Sequence, residues 1–318
     1  MHILFVMDPL ETMHPEKDTT FAFIRAAQKH GHTCSHCLLK DLSVENGTAI
    51  ATARFASVSP RPPHTSYGST RQLHLADIDA ILVRKDPPFD IAYLNATQIL
   101  DTVRHNTFIM NDPRGLRDAD EKLFALQFPE WTPKTIVTAE PLRIRSFLHA
   151  CGGTAVIKPI GRAGGHGVLK LSSDDINTSS IIDLLTDEGK RQVMVQEYLP
   201  SVREGDKRVI MLDGKFLGAI LRVPSDGDLR ANIHVGGRVV ACGITKEEEA
   251  LIASVGPRLR DAGLFFVGLD VIGGHLTEVN VTSPTGIQEL GRLTNSNPED
   301  DVVFWLEKKV EQFGKTAA

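Results

Sequence analysis

Residues 266–281 carry acidic and amide side chains at spacings that could gather a metal ion. Polar residues alternate with apolar ones on both sides of a Gly-Gly pair, and this pattern predicts a β-hairpin. If the loop is residues 273–275, Asp270 lies opposite Glu278, and Asn280 lies on the same face of the sheet. Carboxylate and amide oxygens are ligands that suit Mg²⁺. The hairpin therefore predicts a magnesium site.

This prediction depends on the register of the hairpin. The three-residue loop pairs Ile272 with Leu276, whereas a two-residue turn at Gly273-Gly274 would put Asp270 on the opposite face. The alternative interpretation is a solvated polar face above a buried apolar one. Two carboxylates directly opposite each other repel unless a cation lies near them, and this favours the metal site.

A second candidate site is the glycine-rich segment 161–167, which follows Lys158 and contains the pair Gly164-Gly165. Its glycines can adopt positive φ and turn backbone N–H groups towards anionic oxygens. The segment matches neither GxGxxG nor GxxxxGK[ST]. A plain surface hairpin loop is the alternative, but Lys158 at the end of a predicted strand favours phosphate binding.

Charged residues also stand where predicted strands end, which is where ligands gather in open α/β sheets. Asp8 follows the first strand and fits a turn and a ligand site equally well. Arg84, Lys85 and Asp86 follow another strand, and the adjacent cations favour an anionic substrate. Residues 281–286 could hold a carboxylate with hydroxyl and N–H groups, although an ordinary helix cap is the simpler interpretation.

The elements that must position these residues predict an α/β protein. Residues 3–7 form a buried strand of a parallel sheet, and Asp18 then caps a helix that Gly31 ends. Residues 55–73 lack periodicity and predict an exposed loop. Another buried strand covers residues 78–83.

The middle of the chain predicts a small α+β unit. Asp118 and Glu121 resemble a capping box at the start of a helix over residues 122–128. Strands and helices then follow one another up to residue 196. Strands are predicted again within residues 207–223, and residues 228–244 predict a polar loop.

Length and composition limit the possible functions. The 318 residues suggest two or three domains, and the net charge of -5 argues against a nucleic-acid-binding protein. The N-terminus lacks the features of a signal peptide and no run approaches the ~18–20 apolar residues of a membrane span, so we expect a cytoplasmic protein. Cys34 and Cys37 form a CxxC without a second pair downstream, and we interpret them as strand residues rather than as a metal or redox site.

Together these segments resemble the ATP-grasp superfamily, and specifically the glutathione synthetases of bacteria. The resemblance covers nearly the whole chain, and its most specific strings are RKDPPFD at residues 84–90 and LTEVNVTSP at residues 276–284. It implies an ATP-grasp fold preceded by an N-terminal parallel-sheet domain. The three parts are placed at residues 1–120 (an N-terminal α/β substrate domain), 121–200 (a lid) and 201–318 (a C-terminal subdomain with the metal and substrate site).

The resemblance also implies roles for individual residues. Lys122 and Lys158 would hold the α- and β-phosphates of ATP, beneath the loop that contains Gly164 and Gly165. The resemblance assigns adenine to the backbone of Gln196, Glu197, Tyr198 and Leu199, and ribose to Asp206. It assigns the transferred phosphoryl group to Arg208, Arg222, Arg230 and Asn232, and two Mg²⁺ (or Mn²⁺) ions to Asp270, Glu278 and Asn280. The peptide substrate would be bound by Asp18, Arg84, Asp86, Ser283 and Thr285.

The reaction that the resemblance implies joins γ-glutamylcysteine to glycine. ATP would phosphorylate the cysteinyl carboxylate, and the glycine amine would displace phosphate from the acyl phosphate. This agrees with the chemistry, because phosphorylation turns a poor leaving oxygen into a good one, while metals and arginines neutralise the charge on the phosphoryl group. We also expect a homo-oligomer by resemblance.

One segment departs from the family pattern. Gly161, Arg162 and Ala163 stand where the family often has an acidic residue and a methionine before the paired glycines. Because substrate identity depends on few side chains, two alternatives also remain, an ATP-grasp ligase for a different dipeptide or amino acid and a nucleotide-binding regulator without turnover. The complete set of metal ligands argues against the regulator.

Overall fold

A computed structural model of the chain describes residues 1–224 and 238–317. Within these ranges the chain forms three β-sheets and eight α-helices. Among the described helices none is long and apolar enough to cross a membrane. Arg230 and Asn232, which are predicted to act in catalysis, lie outside the described residues.

The N-terminal sheet combines parallel and antiparallel pairing in the order β3-β4-β2-β1-β6-β7, with β5 paired to β4. Strands β1, β2, β6 and β7 are parallel, as predicted, and the antiparallel strands lie at the other edge. The strands are β1 (His2–Met7), β2 (Thr33–Cys37), β3 (Leu42–Glu45), β4 (Thr48–Val58), β5 (Thr65–His74), β6 (Ala80–Arg84) and β7 (Phe108–Met110). The helices of this part are α1 (Thr19–Lys29), α2 (Ile91–Asp101) and α3 (Pro113–Asp118).

The prediction of an exposed loop over residues 55–73 is wrong. This region lies in the long antiparallel hairpin of β4 and β5. Most residues of β5 are exposed at the sheet edge, so the strand has no buried face and shows little apolar alternation. Strand β5 is held by main-chain hydrogen bonds to β4, and main-chain pairing does not depend on residue type.

Two other local predictions have different outcomes. Asp18 caps α1 by accepting hydrogen bonds from the N–H groups of Thr20 and Phe21, as predicted. The predicted helix over residues 122–128 is wrong, because the structure has a 3₁₀ turn at Phe124–Gln127 instead. Asp120 accepts the N–H bonds at its start, while the supposed capping residue Glu121 points towards another element.

A second, smaller sheet has its own hydrophobic core. All its strand pairs are antiparallel, in the order β10-β9-β11-β8. Its core joins buried residues such as Ile157 and Val195 to Ile144 and Leu148 of the neighbouring helix. The elements are β8 (Thr135–Thr138), α4 (Pro141–Ala150), β9 (Thr154–Pro159), β10 (Leu169–Ser172), α5 (Thr178–Thr186) and β11 (Val193–Glu197). We call this unit the small sheet unit.

The third sheet is antiparallel throughout, in the order β14-β13-β12-β15-β16. Its apolar face shares core clusters with the N-terminal sheet, so Leu4 and Val209 belong to one continuous core. Its elements are β12 (Asp206–Leu212), β13 (Lys215–Val223), β14 (Arg238–Ala241), α6 (Lys246–Asp261), β15 (Phe266–Ile272), β16 (His275–Asn280), α7 (Ile287–Thr294) and α8 (Pro298–Ala317).

The cysteines of the CxxC are strand residues, as predicted. Cys34 and Cys37 lie in β2, are free and are buried. Burial raises the pKa of the Cys34 thiol to about 12 and raises that of Cys37 as well. Thiols held neutral in this way are poor nucleophiles and poor metal ligands.

Candidate active site

The hairpin of β15 and β16 brings the predicted ligands together by an unpredicted route. The turn has two residues, because Ile272 pairs with His275, and the predicted pairing of Ile272 with Leu276 is therefore wrong. A β-bulge between Asp270 and Val271 shifts the register and restores the pairing of Asp270 with Glu278. The predicted juxtaposition of the two carboxylates is confirmed.

The bulge falls at Thr277, whose hydroxyl donates to the carbonyl of Asp270 over 3.1 Å. Because side chains alternate along a strand, Leu276 and Glu278 would otherwise share a face. The extra residue lets Leu276 pack fully buried in the core while Glu278 faces the cleft. The bulge thus allows Leu276 to pack in the core and Glu278 to line the cleft.

Charged residues continue across this sheet as a row. Arg208 lies directly opposite Asp270 on the neighbouring strand, and Arg222 lies opposite Asp206. Asp206 and Arg208 are two positions apart on β12 and so share a face. We call Arg222, Asp206, Arg208, Asp270 and Glu278 the charged row.

Asp270 is the centre of the charged row. Arg208 donates from Nε to Oδ1 over 2.5 Å and from Nη2 to Oδ2 over 3.2 Å, and Arg222 Nη2 lies 2.9 Å from Oδ1. Burial alone would raise the pKa of the Asp270 carboxyl, but the two guanidinium groups hold that pKa well below its ordinary value. Asp270 is therefore anionic at any physiological pH.

Gly268 makes room for this bidentate pair. A Cβ at this position would lie 2.8 Å from Cδ of Arg208 and 3.1 Å from Cβ of Pro284. Such contacts are too close for a side chain, so the arginine reaches Asp270 across a strand position that lacks one. Gly268, in the string FVGLD, is therefore required for the close packing of Arg208 against this strand.

Glu278 is paired from a different part of the chain. Nζ of Lys122 lies 2.9 Å from Oε1 of Glu278, and it also donates to the carbonyl of Arg162 in the glycine-rich loop. Burial lowers the pKa of Lys122, but Glu278 outweighs this effect and the net pKa is raised. The lysine thus joins the loop of the small sheet unit to the charged row.

The oxygen donors of Asp270, Glu278 and Asn280 fit a divalent cation. They lie on neighbouring strands of one sheet and line one cleft. Among the described residues no three His, Cys, Asp or Glu side chains form a metal-binding group, because one member of the predicted set is an amide. Hard oxygen donors of this kind suit Mg²⁺. Arg208, Arg222 and Lys122 already compensate these carboxylates, so the repulsion between them does not by itself require a cation.

Lys158 of the small sheet unit and Asp206 of the charged row are each held by a neighbouring side chain. Nζ of Lys158 donates to Oε1 of Gln196 over 2.6 Å, which leaves the Gln196 amide to donate to Oγ1 of Thr135 over 3.1 Å. Burial lowers the pKa of Lys158. Burial raises the pKa of Asp206 to about 6, although Arg222 Nη2 donates to its Oδ2 over 2.7 Å.

Two cavities meet at Asp270 and Glu278. A small cavity of about 130 Å³ lies between the small sheet unit and the charged row. A larger cleft of about 1980 Å³ opens towards the N-terminal sheet. The small cavity is lined by the predicted residues Lys122, Lys158, Gly165, Gln196, Glu197, Tyr198, Leu199 and Asp206. The larger cleft is lined by the predicted residues Asp18, Arg84, Asp86, Gly164, Arg208, Arg222, Asn280, Ser283 and Thr285.

Comparisons with known proteins decide the family. Residues 1–117 match the family model for the N-terminal domain of prokaryotic glutathione synthetase, and residues 121–295 match the model for its ATP-grasp domain. The glutathione synthetase of Synechococcus elongatus is 43% identical over 323 residues, covering 98% of this chain and 100% of the relative. That of Gloeobacter violaceus is 44% identical over 313 residues, covering 96% of each chain. The chain belongs to the prokaryotic glutathione synthetase family.

Solved structures share the fold of this glutathione synthetase family member at low sequence identity. D-cycloserine synthetase DcsG has a TM-score of 0.66 at 16% identity, covering 98% of this chain and 99% of its own. The ATP-grasp ligase PsnB, complexed with precursor peptide PsnA2 and AMPPNP, has a TM-score of 0.62 at 15% identity, covering 98% of each chain. The predicted ATP-grasp fold is confirmed, and with the family match the protein is an ATP-dependent ligase.

The segment between the hairpin and α7 is held by side chains from several elements. Arg84 Nη2 donates to the carbonyl of Pro284 over 2.8 Å, and Arg208 Nη1 donates to that of Thr285 over 3.2 Å. Asp86 is hydrogen-bonded to Ser283, although burial raises the pKa of Asp86 overall. Arg84 and Asp86 therefore fix this segment in addition to lining the cleft.

Three predicted residues near the cleft have structural partners. Lys85, which was grouped with Arg84 as a cation for an anionic substrate, is instead paired with Asp8, whose Oδ1 lies 3.1 Å from its Nζ. Asp8 also accepts the N–H of Asp86 over 3.0 Å, which favours the turn interpretation of Asp8. The carboxylate of Asp18 caps α1 while its residue lines the cleft.

Sequence reasoning missed the role of Glu121 and did not single out Asn111. Glu121 Oε1 accepts from the N–H groups of Val281 and Thr282, at 3.0 and 3.1 Å, and so fixes the end of β16. The Asn111 amide donates to two carbonyls and accepts from two N–H groups, joining the end of β7 to β15 and residue 281. Glu121 was predicted only as a helix-capping residue, and Asn111 carried no local signal.

Proposed function

We propose that the protein joins γ-glutamylcysteine to glycine with conversion of ATP to ADP and phosphate. The observation that carries this proposal is the charged row beside two connected cavities, in a chain of the prokaryotic glutathione synthetase family. The lining of the small cavity suits a nucleotide, although a cavity of about 130 Å³ must widen to hold all of it. The larger cleft suits a peptide whose carboxylate approaches the same carboxylates and arginines. We further propose the division into residues 1–120, 121–200 and 201–318.

The nucleotide would bind in the small cavity. Lys158 is partly buried and oriented by Gln196, so its ammonium suits the phosphates, while Lys122 approaches from the other side. The backbone of residues 196–199 would receive adenine, and Asp206 would accept hydrogen bonds from ribose. Glycines 164 and 165 have positive φ, which suits backbone N–H groups turned towards phosphate oxygens.

Two Mg²⁺ or Mn²⁺ ions would be held by Asp270, Glu278 and Asn280. When bound, such ions would neutralise the charge that develops during phosphoryl transfer. Arg208 and Arg222 are fixed by Asp270 before any substrate arrives, so their positive charge is preorganised. Arg230 and Asn232 complete the proposed catalytic set.

The peptide would enter by the larger cleft. Its cysteinyl carboxylate would attack the γ-phosphorus of ATP, forming an acyl phosphate and releasing ADP. The glycine amine would then add to the acyl carbon, lose a proton, and expel phosphate as the C–O bond breaks. Asp18, Arg84, Asp86, Ser283 and Thr285 would shape the peptide site. Closure of the glycine-rich loop would exclude water from the acyl phosphate.

The cellular context is also a proposal. We place the protein in the cytoplasm as a homo-oligomer that acts on small molecules, with no nucleic-acid or membrane partner. The net charge of -5 supports the absence of a nucleic-acid partner.

The test is phosphate release from Mg-ATP and γ-glutamylcysteine, with and without glycine. We expect glycine-dependent release that falls by at least about 10³-fold in Glu278→Ala, because the phosphoryl charge loses its stabilisation. Glu249→Ala, an exposed acid on α6, is the matched control and should retain activity. ATP binding without turnover on this pair of substrates would refute the proposed reaction and favour a ligase for another substrate.

A further inference from the structure

Glu121 lines the larger cleft from a position beside the proposed metal ligands. Its main-chain carbonyl accepts the N–H of Val279 over 2.8 Å, and Val279 stands between Glu278 and Asn280 on β16. The Glu121 side chain is partly exposed and borders the cleft together with Glu278 and Asn280. Its carboxylate is therefore next to the region where the acyl phosphate of the proposed reaction would form.

The protein uses one oxygen of the Glu121 carboxylate and leaves the other without a donor. Oε1 accepts hydrogen bonds from the N–H groups of Val281 and Thr282 and from the Thr282 hydroxyl, the last over 2.7 Å. Among the described residues, no hydrogen bond to this side chain reaches Oε2, and none comes from a lysine or an arginine. Oε1 thus fixes the carboxylate, and Oε2 remains for a ligand.

The charge of Glu121 differs in this respect from the charges of the charged row. Asp270 is ion-paired with Arg208 at 2.5 Å, and Glu278 is ion-paired with Lys122 at 2.9 Å. Within the part of the chain that the structure describes, Glu121 has only neutral donors. A carboxylate that is partly screened from water and not ion-paired attracts a cation strongly, because the attraction grows as the effective dielectric constant falls.

The proposed reaction supplies such a cation. An α-amino group is mostly protonated at neutral pH, so the acceptor amine arrives as an ammonium group. The arginines of the charged row are positive, as are Lys122, Lys158 and the proposed metal ions, and all of them would repel an ammonium group. A carboxylate without an ion partner beside them would offset this repulsion and allow the amine to approach the acyl phosphate.

Asp86 is an alternative acceptor, because it also contacts the segment that follows β16. It is hydrogen-bonded to Ser283, and the positive charge of Arg84 attracts it. The charge of Asp86 is therefore already compensated in part. Glu121 is the better acceptor for an ammonium group, since only neutral groups of the described residues donate to it.

We propose that Oε2 of Glu121 binds the ammonium group of the acceptor amine and holds it beside the acyl phosphate. This inference rests on the proposed function and names a residue that recognises the second substrate. Glu121 serves the amine, while its neighbour Lys122 serves the nucleotide. Because the interaction is between charges, Glu121 favours an amine that arrives protonated over a nucleophile that arrives uncharged.

The experiment compares two nucleophiles, glycine, which carries an ammonium group at neutral pH, and hydroxylamine, which is uncharged there. Hydroxylamine attacks the same acyl phosphate: the N–C bond forms, the nitrogen loses a proton, and the C–O bond to phosphate breaks, which leaves a hydroxamate. Glu121→Gln keeps an oxygen for the N–H groups of Val281 and Thr282 and removes the charge. We expect kcat/KM for glycine to fall by about 10- to 100-fold, as for a hydrogen bond to a charged group. The value for hydroxylamine and the KM for ATP should stay unchanged.

Two further variants separate this inference from misfolding. Thr282→Val removes one donor to Oε1 and keeps the charge, so any loss should be equal for the two nucleophiles. Glu140→Gln, an exposed acid at the start of α4, should keep the wild-type values for both.

The outcomes for Glu121→Gln are distinguishable from failure of the proposed function. Equal losses for glycine and hydroxylamine would give Glu121 a purely structural role and overturn the inference, as would an unchanged kcat/KM for glycine. No phosphate release by the wild-type protein from ATP and γ-glutamylcysteine with either nucleophile would overturn the proposed function itself.

Discussion

The two walls of the small cavity are built in different ways. The small sheet unit has a separate hydrophobic core and presents an open loop whose glycines have positive φ. The opposite wall is the charged row, whose sheet shares its core with the N-terminal sheet. Its arginines and Asp270 are fixed by one another and almost fully buried.

This difference indicates that the two walls have different roles in the reaction. Preorganised charges stabilise a transition state only if they do not reorganise during the reaction, so they belong on the wall with the larger core. A covering loop must open and close, and a unit with an independent core can move without disturbing the charged row. The hydrogen bond from Lys122 to the Arg162 carbonyl is a contact between the walls.

The strongest test of the charged row is Asp270→Asn. This change leaves Arg208 and Arg222 without their shared carboxylate in a buried site, and we expect a loss of about 3–5 kcal/mol in the free energy of unfolding. Urea unfolding followed by circular dichroism measures it. Glu188→Gln, whose side chain is 82% exposed on the small sheet unit, is the matched control. A variant as stable as the wild type would show that the row contributes nothing to folding.

Ile157→Ala tests whether the small sheet unit is independent. Ile157 is fully buried in the separate core, and the cavity should cost about 2–5 kcal/mol. Hydrogen exchange should speed up in β8–β11 and stay unchanged in β12 and β15. Val209→Ala, in the shared core, should instead loosen the N-terminal and C-terminal sheets together. Equal loosening of all three sheets in Ile157→Ala would contradict the comparison.

Gly268→Ala tests whether the reaction depends on the position of Arg208 in the charged row. The added methyl would meet Arg208 at 2.8 Å, and we expect a destabilisation of about 1–3 kcal/mol together with a fall in kcat. Gly243→Ala is the control, since its methyl would have no neighbour within 4 Å. Wild-type kcat in Gly268→Ala would mean that the position of Arg208 is unimportant for the reaction.

A smaller effect is expected from the titration of Asp206. Its pKa is raised to about 6, so the carboxyl takes up a proton as the pH falls below 6 and loses its charge for Arg222. We expect kcat/KM for ATP to fall about tenfold for each pH unit below that value. The same acid limb in Asp206→Asn would assign the titration to another group.

The sequence predicted some parts of the site better than others because their signals are local. Alternation around Gly273-Gly274 indicated the hairpin, and Asp18 indicated the start of α1. The register depended on a bulge at Thr277, which exists because Leu276 must reach the core while Glu278 faces the cleft. Such a choice depends on packing from other elements, so the turn length was predicted wrongly even though the facing carboxylates were predicted correctly.

The sequence by itself determined the first strand and helix, the hairpin within residues 266–281, the glycine-rich loop and the family, since these depend on residue types at short spacing. Only the tertiary structure decided the partners of the charged groups. Arg208 and Arg222 compensate Asp270 because sheet pairing places them side by side. Glu121 fixes the end of β16 from 160 residues away. Electrostatic interactions act through space, and their partners therefore cannot be found from sequence spacing alone.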